Sequence, residues 1–334
     1  MILLVIIVGM ALAFDFTNGF HDAANSIATI VSTKVLNPTM AVLWAATFNF
    51  IAFFIFKEHK VAESIAGIVS VKLISLNLVL AATMAAITWN LLTWYLGIPS
   101  SSSHTLIGGL IGAAIAAGGF HAVNSSPVVK ALIFMIVSPV IGMILACVVT
   151  IIVVNLSKNS LPGKANKRFK RLQLVSAAAL SLSHGGGDSQ KTMGLIITAL
   201  WFYSTLHGNT TALPQFKMPG WLPFSCYAAI ALGTMAGGWR IVKTMGTKIT
   251  KVTPLEGVCA EGAAALTLFL TIALGIPVST THTITGAIVG VGATKRISAV
   301  RWGVTVNLLW AWILTIPLSA LLSMLLFWLL RLVL

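Results

Sequence analysis

Long apolar runs separated by short polar segments recur along the whole chain, for example at Met1–Phe14, Ala228–Trp239 and Leu308–Leu330. About 20 apolar residues are enough for a helix to span a bilayer, so this pattern predicts a polytopic membrane protein. The predicted spans cover approximately residues 2–36, 39–56, 73–96, 98–120 and 127–157 in the first half, and 173–205, 221–239, 255–274, 276–294 and 302–331 in the second.

Composition supports a membrane environment. Apolar residues make up 57% of the chain and charged residues 8%, against roughly 25% charged residues in an ordinary soluble domain. The first apolar run has neither a basic segment before it nor a small-residue cleavage pattern after it, so we expect a retained transmembrane helix and not a signal peptide. The three cysteines have no metal-site or disulfide spacing and are expected to be packing residues.

The chain contains an internal repeat. The segment Gly97-Ile-Pro-Ser-Ser-Ser-Ser-His104-Thr recurs as Gly275-Ile-Pro-Val-Ser-Thr-Thr-His282-Thr, offset by 178 positions. A weaker pair, offset by 166 positions, relates the polar residues around Asp22 to those around Asp188. These two acids interrupt apolar spans near Gly19–Asp22 and His184–Asp188, and we expect the helix to be broken at both places.

The repeat predicts the architecture. Each half has five predicted crossings, and an odd number gives the two halves opposite orientations. The predicted fold class is an all-α polytopic membrane protein with two inverted-topology repeats, residues 1–157 and 173–334, joined by a basic cytoplasmic linker at residues 158–172. Discontinuous helices and re-entrant-type hairpins are expected in both repeats.

The net charge of +14 is explained by topology. With the N-terminus outside, 14 of the 21 basic residues fall on the cytoplasmic side and six on the other, as the positive-inside rule requires. We therefore expect a multi-pass protein of the cell (inner or plasma) membrane. The lipid bilayer is an expected partner, and nucleic acid is not. The central basic segment should be cytoplasmic and both termini outside.

The acids predict a site for a coupling cation. A carboxylate inside the membrane normally faces an aqueous cavity with a partner, and carboxylate, amide and hydroxyl oxygens together hold hard cations. A purely local ion pair between Asp188 and Lys191 is the plainer alternative, but it leaves the symmetry of the two acids unexplained. The residues expected to bind or couple the cation are Asp22, Asn25, Asp188, His21 and Glu261, with Na⁺ possible at Asp22, Asn25 and Asp188.

The hydroxyl runs predict an oxyanion site. Ser100–Ser103 and Ser279–Thr281 each follow a proline and precede a small-residue helix. A helix start offers free N–H groups, a positive dipole end and hydroxyl donors. Plain N-capping needs only one hydroxyl, so runs of this length favour anion binding. His104 and His282 follow the runs, and orientation of neighbouring groups and direct function are both open for them.

At these residues the sequence resembles the inorganic phosphate transporter (PiT) family. The matching segments are Asn18–Thr29, Ser183–Gly194 and the two Gly-Ile-Pro segments, so the likeness covers both halves. The resemblance implies phosphate uptake coupled to Na⁺ or H⁺, an inverted-repeat fold, a homodimer, no enzymatic activity and no cofactor besides the coupling cation. The residues expected to contact phosphate are Ser101, Ser102, Ser103, His104, Thr105, Ser279, Thr280, Thr281, His282, Thr283, Gln190 and Lys191.

The sequence departs from the family pattern at Gly187, where the family usually has asparagine, so one polar contact beside Asp188 is in doubt. The corresponding residue of the first half is His21, as in the bacterial branch associated with proton coupling. The choice between Na⁺ and H⁺ is open, with His21 favouring H⁺. Alternatives are a carrier of another tetrahedral oxyanion such as sulfate, a channel, and an intramembrane metal-dependent hydrolase. The hydrolase is disfavoured because the chain has no HExxH or comparable ligand pair.

Overall fold

The structure is a computed structural model that describes residues 1–333, and these residues form helices joined by short loops. The helices are α1 (Ile2–Ser32), α2 (Pro38–Ile55), α3 (Lys60–Ala66), α4 (Leu76–Leu96), α5 (Ser102–Gly118), α6 (Ser125–Ser157), α7 (Pro162–Leu206), α8 (Trp221–Ala236), α9 (Trp239–Lys243), α10 (Pro254–Ala273), α11 (Thr280–Lys295) and α12 (Trp302–Val333). Short 3₁₀ turns lie at Val71–Leu73, Phe120–Ala122, Leu213–Gln215 and Ile297–Ala299, and a π turn lies at Thr244–Lys248.

Six of these helices are long and apolar enough to cross a membrane: α1, α2, α4, α6, α10 and α12. Helices α5 and α8 are apolar but shorter. At a rise of about 1.5 Å per residue, the 17 residues of α5 are shorter than the roughly 30 Å hydrocarbon core. The protein is therefore an all-α, multi-pass membrane protein, as its hydropathy predicts.

Two hairpins, α4–α5 and α10–α11, carry the hydroxyl runs at their tips. Gly97 and Gly275 end the first helix of each hairpin in the left-handed region, both with φ of 68°, which glycine adopts without steric cost. Ser101 and Ser279 then cap α5 and α11, because each hydroxyl accepts a hydrogen bond from the N–H of the histidine three residues later. The predicted capping of both helix starts is confirmed.

The predicted helix breaks at Gly19–Asp22 and His184–Asp188 are wrong, since α1 and α7 run through both segments. The glycines serve close helix contacts instead. A Cβ atom on Gly19 would lie 2.1 Å from the Ile230 carbonyl oxygen of α8, and one on Gly185 would lie 2.6 Å from the Asn49 carbonyl oxygen of α2. A helix break inside a bilayer would leave backbone groups unpaired, at a cost of several kcal/mol each. The helices therefore continue through these glycines, which allow neighbouring helices to approach closely.

The basic segment 158–172 is mostly helical. Pro162 occupies the first turn of α7, where its missing N–H is tolerated, and residues 162–172 form the exposed first turns of this 45-residue helix. Only residues 158–161 connect α6 to α7.

Helices from the two halves exchange partners. Helix α1 packs on α8 while α7 packs on α2, and α5 packs on α12 while α11 packs on α6. Close contacts between α5 and α12 and between α11 and α6 use glycines at matching places, Gly108 and Gly286, whose Cβ atoms would meet Ser319 and Pro139. Small residues at such crossings are typical of membrane helix pairs. This arrangement brings the tips of both hairpins together between α1 and α7.

Candidate functional site

The two hairpin tips are joined by a reciprocal pair of hydrogen bonds. The Ser103 hydroxyl donates to the Val278 carbonyl, with 3.0 Å between the oxygens. The Thr281 hydroxyl donates to the Ser100 carbonyl at 3.2 Å. All four residues are buried. Because both donors and both acceptors are related by the same 178-residue offset, equivalent groups of the two halves hold the tips together.

On the α1 side, Asp22 is positioned by its neighbours. The Asp22 carboxylate lies 2.8 Å from Nδ1 of His21, and the other ring nitrogen of that histidine lies 3.2 Å from the Thr93 hydroxyl of α4. The Thr280 hydroxyl faces the second Asp22 oxygen at 3.4 Å. The Asn25 amide, one turn further along α1, donates to the Thr281 hydroxyl at 2.9 Å. Asp22 and Asn25 therefore both face the tip of the second hairpin.

On the α7 side, a buried ammonium replaces the amide. Lys191 Nζ lies 2.6 Å from an Asp188 oxygen and 2.8 Å from the Val278 carbonyl oxygen, and it also donates to the Ser103 hydroxyl. The other Asp188 oxygen accepts a hydrogen bond from the Asn18 amide at 3.3 Å. The local pair between Asp188 and Lys191 is thus present, and the same ammonium also reaches the first hairpin tip.

Asn25 and Lys191 occupy equivalent positions in the two halves, being separated by the 166-residue offset. Each binds the equivalent hydroxyl of the opposite half, Thr281 for Asn25 and Ser103 for Lys191. One of these side chains is neutral and the other carries a positive charge. The site is therefore symmetric in geometry and asymmetric in charge.

The two carboxylates converge. Ligand atoms of Asp22, His184 and Asp188 all lie within 4.8 Å of one another, and all three residues are buried. Carboxylate oxygens are preferred ligands of hard cations, and two buried carboxylates beside a single ammonium favour uptake of a further positive charge. The arrangement fits a small cation between Asp22 and Asp188.

The hairpin tips supply donors for an anion. The backbone N–H groups of Ser102 and Ser103 begin α5, and those of Thr280 and Thr281 begin α11, so none of them has an intrahelical acceptor. The Ser102 hydroxyl is buried and has no hydrogen-bond partner among the described residues. Together with the Lys191 ammonium, these groups offer an oxyanion donors from two helix starts and one full positive charge.

Several predicted site residues make other contacts. The Gln190 side chain accepts from the Val61 N–H of α3 at 3.1 Å. The Thr105 and Thr283 hydroxyls donate to carbonyls of their own helices at 2.8 and 2.9 Å. The rings of His104 and His282 lie against each other, 4.3 Å apart. Both histidines line a largely apolar cavity of about 760 Å³ between α6 and α12.

Glu261 belongs to a second buried cluster. Its carboxylate accepts hydrogen bonds from the hydroxyl of Thr29 at 2.6 Å, the amide of Gln173 at 2.8 Å and the hydroxyl of Ser176. The cluster joins α1, α7 and α10. Its α1 partner, Thr29, is seven residues from Asp22 and so lies on the same face of that helix. Among the described residues, Glu261 forms no hydrogen bond with Asp22 or Asp188.

Gly187 lies beside the central acids, and the equivalent residue of the first half is His21. Its position borders a cavity of about 10 Å³ lined also by Asp188, Lys191 and Thr271. Thr271 is the equivalent of Thr93, the residue that His21 contacts in the first half. The missing side chain leaves room for roughly one water molecule. The histidine beside Asp188 is instead His184, one turn earlier on α7, with Nε2 at 3.6 Å from a carboxylate oxygen.

The sequence did not predict all residues of the site. Asn18, Thr93, Gln173 and Ser176 all make the contacts described above. A helical-spacing signal was present on α1, where the polar residues Asp15, Asn18, Asp22, Asn25 and Thr29 recur every three or four positions. Thr93 had no comparable signal, because it stands alone near the end of an apolar helix.

The chain is similar to known proteins over nearly its whole length. Residues 18–323 match the phosphate transporter family. A probable low-affinity inorganic phosphate transporter of Rhizobium meliloti (strain 1021) is 53% identical over 96% of this chain and 94% of its own length. A protein of the same description from Bacillus subtilis (strain 168) is 44% identical over 100% of this chain and 98% of its own. A solved structure described as the sodium-dependent phosphate transporter superposes with a TM-score of 0.88, at 26% identity and full coverage of both chains.

Proposed function

Because the chain belongs to the phosphate transporter family, we propose that it imports inorganic phosphate by symport with a cation through alternating access. Transport of phosphate, and not enzymatic turnover, is what its family and fold support. The observation that carries the proposal is the meeting of two donor-rich hairpin tips with two buried carboxylates and one ammonium.

Phosphate binds at the hairpin tips in this proposal. The free N–H groups of Ser102, Ser103, Thr280 and Thr281 and the Ser102 hydroxyl donate to the phosphate oxygens, while Lys191 contributes charge. Ser101 and Ser279 hold the helix starts in place by capping. Gln190, His104, Thr105, His282 and Thr283 position the tips and their helices, given where their side chains lie.

The coupling cation binds between Asp22 and Asp188, with Asn25 and His21 as neighbours. Its positive charge offsets the repulsion between two carboxylates and a phosphate dianion, so binding of either ion favours binding of the other. This linkage is the physical basis of symport. The sodium dependence named for the solved relative supports a cation role, and Na⁺ and H⁺ are both compatible with the donor set.

Alternating access requires the tips to part. The Ser103–Val278 and Thr281–Ser100 hydrogen bonds and the Lys191 contacts close the buried site in this conformation. We propose that the two repeats, residues 1–157 and 173–334, rock against each other and break these contacts from alternate sides. This movement has to slide the contacts that join helices of the two repeats, such as α5 on α12 and α11 on α6.

The same proposal includes a cell (inner or plasma) membrane location, with the basic start of α7 in the cytoplasm, both termini outside, and a homodimer. The exposed basic residues at the start of α7 are consistent with that orientation. Only the family resemblance supports the proposed dimer.

The decisive experiment is uptake of labelled phosphate into proteoliposomes with the Na⁺ and pH gradients imposed independently. We expect accumulation with one of the gradients and competition by arsenate but little by sulfate. The two carboxylates accept a hydrogen bond from HPO₄²⁻, whereas SO₄²⁻ has no proton to donate. Accumulation without either gradient would contradict symport, and uptake of sulfate in preference to phosphate would reassign the substrate.

A further inference from the structure

A further buried acid lies on α1, two turns before Asp22. Asp15 is fully buried, and neither of its carboxylate oxygens has a hydrogen-bond partner among the described residues. Seven residues of helix place it about 10 Å from Asp22 along the helix axis. A buried carboxylate without a partner is unstable as a bare anion, so it must carry a proton or hold a cation.

The groups that face Asp15 come from α7 and α8. The Thr192 hydroxyl faces it from α7, and the charges of Asp188 and Lys191 act on it from the same helix. On α8 it faces Cys226 and Tyr227. The ammonium of Lys191 is already bound by Asp188 and the two hairpin tips. Lys191 is therefore engaged by other groups, and Asp15 forms no ion pair among the described residues.

Other polar atoms near this acid are also unpartnered. The Thr192 hydroxyl, the Tyr227 hydroxyl and the Asn18 carbonyl oxygen are buried without hydrogen-bond partners in the described part of the chain. Asn18 lies one turn from Asp15 on the same face of α1, and its amide donates to Asp188. Carboxylate, hydroxyl and amide oxygens are the kinds of ligand that a hard cation prefers.

We propose that Asp15 holds a second monovalent cation, H⁺ or Na⁺, at a site between the N-terminal end of α1 and the Asp22–Asp188 centre. This inference rests on the proposed symport. The spacing of Asp15, Asn18 and Asp22 by three and four residues lines one face of α1. A cation at Asp15 thus has a polar route to the centre and counts toward the number of cations that drive each phosphate.

The test compares wild type with Asp15→Asn in proteoliposomes held at zero voltage. One arm imposes a tenfold pH gradient at equal Na⁺, and the other a tenfold Na⁺ gradient at equal pH. The readout is the steady-state ratio of internal to external phosphate, which depends on stoichiometry and not on turnover. Loss of one coupled cation lowers that ratio by about tenfold in the arm of the cation that Asp15 holds, which identifies it as H⁺ or Na⁺.

Unchanged ratios in both arms would overturn the proposal. Thr198→Val is the matched control, because the Thr198 hydroxyl donates to the Gly194 carbonyl of its own helix at 2.8 Å. Should Asp15→Asn fail to assemble, Thr192→Val retains the acid and removes the hydroxyl that faces it from α7. That variant should raise the half-saturating cation concentration by about tenfold, and an unchanged value would count against the site.

A binding measurement separates this proposal from the symport on which it rests. Exchange of labelled phosphate by the wild type, which needs no gradient, tests transport itself. Thermal unfolding of the purified protein across a range of pH at fixed Na⁺, and of Na⁺ at fixed pH, tests cation binding without transport. The wild-type midpoint should depend on the cation more steeply than that of Asp15→Asn, and identical dependence in both proteins would remove Asp15 as a cation site.

Discussion

The Ser103 hydroxyl donates a hydrogen bond to the Val278 carbonyl across 3.0 Å, joining the tips of two hairpins that lie 175 residues apart in the chain. Its counterpart from Thr281 to Ser100 completes the pair. Each such bond contributes only about 0.5–1.5 kcal/mol net. The tips are therefore held in register by contacts weak enough for the proposed alternating access to break and remake them.

The hydroxyls of the first hairpin tip should separate into two classes. Ser102→Ala removes a free donor beside the helix start, and a hydrogen bond to a charged group contributes roughly 1.5–3 kcal/mol. Phosphate affinity should therefore fall by about one to two orders of magnitude. Ser101→Ala removes a cap, and should lower stability by about 1 kcal/mol with little change in affinity. Calorimetric phosphate binding and thermal unfolding of both variants distinguish the classes; equal affinity for Ser102→Ala and wild type would place the anion elsewhere.

Both central aspartates should be indispensable for transport. Asp22→Asn and Asp188→Asn retain the shape of the side chain but remove the negative charge that attracts the cation, so phosphate uptake should fall to background. Membrane expression should stay near normal, because the amide preserves packing. Uptake by cells that lack other phosphate transport measures the effect, with Thr198→Val as the control. Retained uptake in either variant would exclude that acid from the mechanism.

The ammonium of Lys191 should contribute to phosphate affinity, although the equivalent residue of the first half is the neutral Asn25. Lys191→Asn makes the second half resemble the first at the position of Asn25, but it leaves Asp188 without its ion pair. Removing one partner of a buried pair is costly, and the phosphate also loses a positive neighbour. We expect phosphate affinity to drop by about tenfold or more. Lys130→Asn, at an exposed position of α6, is the control, and wild-type affinity in Lys191→Asn would remove the ammonium from the anion site.

Glycine at the crossing of α7 and α2 should be essential for packing. In Gly185→Ala the new Cβ would meet Asn49 backbone atoms at 2.6 and 2.8 Å, and overpacking of this kind destabilises by typically 1–3 kcal/mol. Gly9→Ala on α1 has nothing within 4 Å and should be neutral or stabilising by up to about 1 kcal/mol. Thermal unfolding in detergent compares the two. A stable Gly185→Ala protein would mean that the helices separate easily.

The proposed orientation can be checked by labelling. On a background in which Cys147, Cys226 and Cys259 are replaced, single cysteines at Lys164 and Lys248 should react with an impermeant maleimide only after permeabilisation. A cysteine at Lys217 should react in intact cells. All three lysines are exposed, so lack of reaction reports the membrane and not burial. Labelling of Lys164→Cys in intact cells would reverse the topology.

The sequence by itself determined the membrane helices, the hairpin tips and the pairing of the two central acids. Hydropathy and turn chemistry are local properties, so the apolar runs, the Gly-Ile-Pro entries and the capping serines predicted the membrane helices and both hairpin tips. The internal repeat identified Asp22 and Asp188 as a pair, and the family motifs identified the transported anion as phosphate, in agreement with the matches found.

Only the tertiary structure decided how these groups meet. The continuity of α1 and α7 depends on helix crossings at Gly19 and Gly185, where packing with distant helices makes glycine favourable. The contact of Lys191 with the opposite hairpin, and the lack of a hydrogen-bond partner for Asp15 among residues 1–333, likewise depend on which helices lie together. Such contacts join residues far apart in the chain, and their energies come from shape and charge complementarity that no local pattern encodes.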